Sequence, residues 1–319
     1  MHSTVIVTGA SSFIGMHIAK YLVSLNYNVI ATVSKIRCKY QGIQEQRLRV
    51  LENAGIRLEQ LDLTCVDQIL KIVDSYRPQY WIQHAGWAQD YASWNFDFER
   101  AFMLNIKPLK DIYLALAKVG SRGLILTGSD AEYGDIPLPF KEEGYCKPTL
   151  PYGLSKLMQS SYARQLAEHY KVKTRVARVF IPFGELDNPN KLLPTVIERL
   201  RSNQSIGLSP CTQSRDFVYV DDLVEGYHSL MRDLDRDTLF DAFNLASGHP
   251  TSLKQLLTET VWFFNKPIEL LQFGVQPMRE NENMNSYADI SKAKIILNWQ
   301  PRLLEITLKQ YLSSYGQGI

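Results

Sequence analysis

The chain has 319 residues, carries 35 Lys and Arg against 33 Asp and Glu for a net charge of +2, and is 45% hydrophobic. That length and composition fit a globular protein with one large core or two coupled ones. The near-neutral balance gives no electrostatic footing for a nucleic acid or a membrane surface as partner.

Cys38, Cys65, Cys146 and Cys211 lie far apart without CxxC or Cys/His spacing, so neither a metal nor a disulfide framework is expected. The N-terminal residues lead directly into an apolar strand with no basic stretch and long apolar run behind it. No segment reaches the ~18 uncharged apolar residues of a membrane span. The expectation is a cytoplasmic protein.

Along the chain, apolar runs at Thr4–Val7, Asn28–Val33, Arg57–Gln60, Tyr80–Gln83, Gly123–Thr127 and Thr174–Phe180 predict buried strands. Helical patterns lie between them, at Gly15–Leu25, Asp67–Tyr76, Glu99–Val119 and Tyr152–Tyr170. Strands alternating with helices predict an α/β fold with a doubly wound parallel sheet, its ligand at the strand C-terminal ends. Beyond Phe180 the pattern changes to a Pro-, Gly- and Asn-rich stretch, a helix at Pro194–Arg201, a strand at Phe217–Val220 and a helix near Asp222–Met231. The chain therefore divides into a dinucleotide-binding domain over 1–180, with 217–235 returning to it, and a smaller, mainly substrate-binding lobe over 181–319.

The first strand runs into Thr8-Gly9-Ala10-Ser11-Ser12-Phe13-Ile14-Gly15, where a helix begins. Gly9 permits a tight turn and Gly15 a close helix–strand approach. The helix N-terminus then presents N–H groups and a positive dipole end to a pyrophosphate, the Rossmann arrangement. Ser12 occupies the place of a middle glycine, and its hydroxyl is available to a phosphate. After the second strand, Ser34-Lys35-Ile36-Arg37-Cys38-Lys39 holds three bases and no acid. An acid there would take the ribose 2′-hydroxyl of NAD, whereas bases suit a 2′-phosphate, so NADP(H) is expected over NAD(H), which remains possible. His84-Ala85-Gly86 follows the fourth strand with small residues that allow close approach of a cofactor.

The fifth strand, Gly123–Thr127, runs into Gly128-Ser129 and places the Ser129 hydroxyl on the ligand edge, and Tyr152 and Lys156 stand four apart on the next helix, on one face. An ammonium beside a phenol stabilises phenolate and lowers the tyrosine pKa from about 10 toward working pH. Tyr152 is then expected to exchange a proton with an oxygen whose carbon exchanges hydride with a nicotinamide, while Ser129 aligns that oxygen.

Together TGASSFIG, LDLT (61–64), HAG, TGSDAEYG, YGLSK, RVFIPFG, RDFVYVDD (215–222) and FNLAS (243–247) resemble the extended short-chain dehydrogenase/reductase family, in its nucleotide-sugar epimerase, dehydratase and reductase branch. The resemblance runs from residue 4 to about residue 300. It implies Ser129, Tyr152 and Lys156 as catalytic triad, and Gly9, Ser11, Ser12, Phe13, Ile14, Gly15, Ser34, Lys35, Arg37, Asp62, Leu63, His84, Ala85 and Gly86 at the cofactor, with Asp62 and Leu63 on the adenine. It implies a nucleotide-sugar substrate touching Ser129, Asp130, Ile181, Lys191 and Leu192, its diphosphate gripped by Arg215 and Arg279. A salt bridge from Arg215 to Asp216 or Asp221 is the plain alternative. It also implies a homodimer through the 99–119 and 152–170 helices.

Three departures narrow the reaction. Ile181 replaces a common asparagine. Ala131 replaces the glutamate that dehydratases use as base, and Glu132, one place on, is expected to face the other way. The bifunctional epimerase–reductases carry a thiol where Ala131 stands, so 3,5-epimerisation loses support as well. The expectation is an NADP(H)-dependent reductase of a 4-keto(-6-deoxy) nucleotide sugar, with hydride going to C4 and a proton from Tyr152. A nucleotide-sugar 4-epimerase is the first alternative and a non-catalytic dinucleotide sensor the second.

Overall fold

The computed structural model describes residues 3–279 and 282–315. Its centre is a seven-stranded sheet with order β10-β6-β5-β4-β1-β2-β3. The strands are β1 (Thr4–Val7), β2 (Asn28–Val33), β3 (Arg57–Gln60), β4 (Tyr80–Gln83), β5 (Gly123–Ser129), β6 (Thr174–Val179) and β10 (Phe240–Leu245). Every pairing in it is parallel. The chain steps outward from β1 to β3, then restarts at β4 on the other side of β1. That reversal opens a crevice at the strand C-terminal ends between β1 and β4.

The apolar strands are buried on both faces, as parallel strands are. One face is covered by α1 (Phe13–Ser24), α2 (Gly42–Asn53), α8 (Val220–Asp233) and α10 (Ser291–Leu297). The other is covered by α3 (Val66–Tyr76), α5 (Leu109–Val119) and α6 (Pro151–Tyr170). On β6, Arg175 is fully buried and joins Asp233 at the end of α8, with its other N–H groups on the carbonyls of Thr174 and Thr238.

Around a separate apolar cluster lie α7 (Leu192–Arg201), α9 (Leu253–Phe263) and α11 (Leu304–Ser314). They pack on β7 (Ile181–Phe183), β9 (Ser214–Tyr219), β11 (Pro250–Ser252) and β13 (Asn285–Ser286), and on the ribbon of β8 (Ile206–Leu208) with β12 (Leu271–Phe273).

Several elements differ from the sequence expectation. The 99–119 helix is interrupted: α4 (Phe98–Ala101) passes into a π-helical turn at Phe102–Ile106 before α5 begins. Pro108, which caps α5, has no N–H to continue the ladder and crowds the preceding turn. The α2 helix went unread because only Leu48, Leu51 and the Arg47 guanidinium are buried on it, too few apolar residues to show a period. The stretch after Phe180 holds a strand, β7, which pairs with β9 and carries Pro182.

Candidate active site

The turn after β1 is shaped by close approach. Gly9 has φ +74°, and a Cβ there would lie 2.9 Å from Ala85 Cα, so the turn and the loop after β4 touch at the crevice. Thr8 fastens that contact, its hydroxyl accepting from the His84 N–H at 3.0 Å and the Ala85 N–H at 2.9 Å. Ser12 is the N-cap of α1: its Oγ accepts from the Gly15 N–H at 3.0 Å. Ser12 thus serves as a cap at the place of the middle glycine, and its hydroxyl proton remains for a ligand. Ser11, Phe13 and Ile14 complete the first turn. Arg47, 5% exposed, donates to the Ser11 carbonyl at 3.1 Å and to the Leu186 carbonyl at 2.9 Å. Leu186 has φ +60°, a strained conformation that this clamp helps hold. A tight turn at Gly9 backed by the α1 N-terminus fits a dinucleotide pyrophosphate.

At the end of β2, Ser34 and Lys35 are exposed. Arg37 sits 2.6 Å from Glu52 and 3.4 Å from Glu45, two acids of the helix the sequence did not reveal. The Lys35 ammonium lies over the Tyr40 ring. Asp62, after β3, uses Oδ1 to accept from the Thr64 N–H at 2.9 Å and hydroxyl at 2.8 Å, and Leu63 is buried beside it.

Ser129 closes β5 and is 7% exposed. Pro151 occupies the first turn of α6 and sets Tyr152 there, with Lys156 one turn further. The Tyr152 ring lies edge-on between Tyr91, 5.8 Å away, and Phe96, 5.7 Å away. Burial raises the Tyr152 pKa above the ordinary phenol value, and the Ser129 hydroxyl beside it partly offsets this. That is opposite to the direction expected from the Tyr–Lys spacing alone. Lys156 directs its Nζ to the Thr127 carbonyl at 2.5 Å and to Gln159 Oε1 at 2.7 Å, and desolvation pushes it down to about 8. His84 Nδ1 lies 3.1 Å from Thr127 Oγ1, and desolvation pushes its imidazole down to about 3, so it is neutral at physiological pH. Gly86 leaves room for Asn105, whose Oδ1 would lie 2.8 Å from an added Cβ.

On the outer side, Asp130 Oδ1 accepts from the Ser129 hydroxyl at 3.2 Å and Oδ2 from Ser286 at 3.4 Å. Burial raises its pKa, and Arg215 is the cation that opposes this. Ala131 presents only a methyl. Glu132 is turned inward: it is fully buried, accepts from the Ser129 N–H at 3.0 Å and pairs with Arg178 at 3.1 Å. Arg215 pairs with neither Asp216 nor Asp221 but with Glu282, and Arg279 is an exposed second cation near it. Lys191 is exposed, 2.9 Å from Asp187 and over the Phe13 ring, so it stands above the phosphate turn. Leu192 begins α7 and Ile181 begins β7, both packed on the lobe core.

The structure thus gathers Ser129, Asp130, Tyr152, Lys156 and His84 at the crevice and Arg215 with Arg279 at its outer rim. Residues that the motifs did not mark are Tyr91 and Phe96 against Tyr152, Arg47 behind the turn, Gln159 on Lys156, and Asn105 behind Gln159. A buried glutamine on a helix and a tyrosine in a loop carry no spacing signal that sets them apart. Among the described residues no helix is long and apolar enough to cross a membrane, and no group of three or more His, Cys, Asp or Glu is placed to hold a metal.

Comparison with known proteins agrees with this geometry. The chain is 30% identical over 177 residues to a dTDP-4-dehydro-6-deoxyglucose reductase of Escherichia coli, a match spanning 54% of this chain and 54% of that enzyme. It is 25% identical over 317 residues to a UDP-glucuronate 4-epimerase of Thermodesulfobacterium geofontis, covering 93% of this chain and 91% of that one. A UDP-glucuronic acid 4-epimerase from Bacillus cereus, solved with UDP-glucuronic acid and NAD, superposes with TM-score 0.85 at 20% identity, covering 98% and 99% of the two chains. The NAD dependent epimerase/dehydratase family model matches residues 5–246. The chain belongs to that family, and is an enzyme of the extended short-chain dehydrogenase/reductase type.

Proposed function

We propose that the protein is an NADP(H)-dependent reductase of a 4-keto(-6-deoxy) nucleotide sugar. The observation that carries this reading is the composition of the crevice around Tyr152. It holds a hydroxyl, a phenol and an ammonium, while the second base that dehydration requires is absent: Ala131 is a methyl and Glu132 is locked inward on Arg178. Such a site supports carbonyl–alcohol chemistry alone.

The Gly9–Gly15 turn and the α1 N-terminus hold the cofactor diphosphate, and Ser34, Lys35 and Lys39 receive a 2′-phosphate, Arg37 being engaged with Glu52. When bound, the nicotinamide supplies the hydride. The chain does the rest. Ser129 hydrogen-bonds the substrate carbonyl, and Tyr152 gives it a proton. The raised phenol pKa suits donation, because Tyr152 enters the reaction protonated. Lys156 stabilises the phenolate left behind. Arg215 and Arg279 take the substrate diphosphate, for which Glu282 holds the place on Arg215. The reductase match over half the chain points the same way.

Epimerisation at C4 uses the same three residues and is favoured by the near-full-length match to a 4-epimerase. A panel of 4-keto-6-deoxy nucleotide sugars with NADPH and NADH separates the two. The reductase reading expects consumption of reduced cofactor, faster with NADPH. Interconversion of the C4 epimers of a 4-hydroxy nucleotide sugar, with no consumption of reduced cofactor on the 4-keto sugars, overturns it. Tyr152→Phe is expected to lower kcat about 10²–10⁴-fold with cofactor affinity retained, measured by steady-state kinetics and cofactor titration. Unchanged kcat overturns the mechanism and admits a non-catalytic role for the site.

We also propose that the protein is a cytoplasmic homodimer joined through the outer faces of the π-helical turn, α5 and α6, where Phe102, Leu114, Leu154 and Met158 are exposed.

A further inference from the structure

The inference concerns Gln159 and rests on the catalytic reading of Tyr152 and Lys156. Gln159 lies three residues beyond Lys156 on α6, on the same face, and is 1% exposed. Both ends of its amide are committed. Oε1 accepts from Lys156 Nζ at 2.7 Å, and Nε2 donates to the Asn105 carbonyl at 2.9 Å. Turning the amide over would set NH₂ against an ammonium and oxygen against a carbonyl, replacing two bonds with two repulsions. Gln159 is therefore held as an acceptor for Lys156. Its anchor is firm as well: Asn105 belongs to the π-helical turn and is tied by its side chain to the Trp87 N–H at 2.7 Å.

The surroundings of Lys156 make that acceptor matter. Burial disfavours its charge, and none of the groups facing it bonds it as a counter-anion. Glu132, after β5, attracts the ammonium from a distance, but its oxygens are taken by the Ser129 N–H and by Arg178. His84, after β4, is neutral, and Tyr227 on α8 bonds Thr127 Oγ1 at 2.7 Å with its phenol held protonated by burial. Tyr152 on α6 is likewise held protonated. Two neutral acceptors, the Thr127 carbonyl and Gln159, carry the ammonium, which leaves its third N–H for the crevice.

We propose that Gln159 is a positioning residue that keeps Lys156 protonated and aimed, and thereby sets the alkaline limit of proton transfer at Tyr152. Gln159→Leu removes the acceptor at similar volume, and Gln159→Glu replaces it with a charged one. The first readout is the titration of the Lys156 ammonium by ¹⁵N NMR on the cofactor-free protein. The second is the pH profile of kcat. Gln159→Leu is expected to lower the Lys156 midpoint and the alkaline limb of kcat together, by about one pH unit, and Gln159→Glu to raise both. A midpoint unmoved in both folded variants overturns the inference. So does a moved midpoint with a stationary alkaline limb. The titration needs no turnover, so its failure leaves the catalytic reading standing, whereas full activity in Lys156→Met overturns that reading instead.

Discussion

Ser12 shows how one side chain serves both fold and site. Its hydroxyl oxygen caps α1 through the Gly15 N–H, and the same group lies in the turn proposed to receive the cofactor diphosphate. Ser12→Ala is expected to cost about 1 kcal/mol of stability and to weaken cofactor binding, measured by denaturant titration and by cofactor fluorescence. Ser12→Gly, which keeps the turn's backbone freedom, is expected to recover most of the stability and none of the lost hydroxyl contact. At this scale the sequence was legible where chemistry fixes spacing. Gly9 and Gly15, Ser129, and the Tyr152–Lys156 pair are set by backbone approach or by a shared helix face. It was illegible where a residue acts through a partner distant in sequence. Glu282 on Arg215, Glu52 on Arg37 and Asn105 behind Gln159 are paired by folding alone. The Tyr152 shift runs opposite to the sequence expectation for the same reason: its spacing from Lys156 is visible in sequence, and its enclosure by Tyr91 and Phe96 is not.

Among the elements, the segment over 135–147 straps the catalytic end of β5 to the later chain. Lys147 and Asp135 close its base by backbone bonds to Tyr133 and to each other, and Phe140 exchanges backbone bonds with Tyr287 and Asp289. Phe140 also stacks on Tyr133 within a small apolar cluster that includes Phe180 and Ile290. The Glu142 carboxyl accepts from the Asn244 N–H at 2.7 Å, tying the strap to β10, and burial pushes it up to about 7 from an ordinary 4.5. An acid with a raised folded-state pKa favours folding while protonated. Its contribution is complete below about pH 4.5 and is lost as pH rises through 7. Glu142→Gln is therefore expected to gain on the native chain over that window, by about 1–3 kcal/mol at pH 7.5. Thermal unfolding from pH 4.5 to 7.5 checks this, and a difference that stays flat with pH contradicts it. Strongly apolar strands and amphipathic helices were legible at this scale. The polar helix α2 and the mixed strand β10 were not, because their place is decided by the sheet they join and not by their own periodicity.

The whole molecule is arranged around one reversal of strand order. The sheet brings the phosphate turn after β1 and the loops after β4 and β5 to a common edge, and the lobe built on β7, β9 and β13 closes over it, carrying Arg215 and Ser286. The exposed apolar side chains on α5 and α6, proposed as the dimer face, are distinct from the residues that gather at that crevice. Leu154→Arg combined with Met158→Glu is expected to halve the mass seen in size-exclusion chromatography with light scattering while leaving cofactor binding intact. An unchanged mass contradicts the proposed interface. We propose that reduction of a sugar ketone at C4 is all that the crevice does. The most direct test of this is one turnover experiment with a 4-keto-6-deoxy nucleotide sugar and NADPH deuterated at nicotinamide C4, the product read by NMR. One deuterium is expected, at sugar C4, with one equivalent of NADPH consumed. Recovery of the 4-keto sugar with no deuterium and no NADPH consumed would overturn this reading.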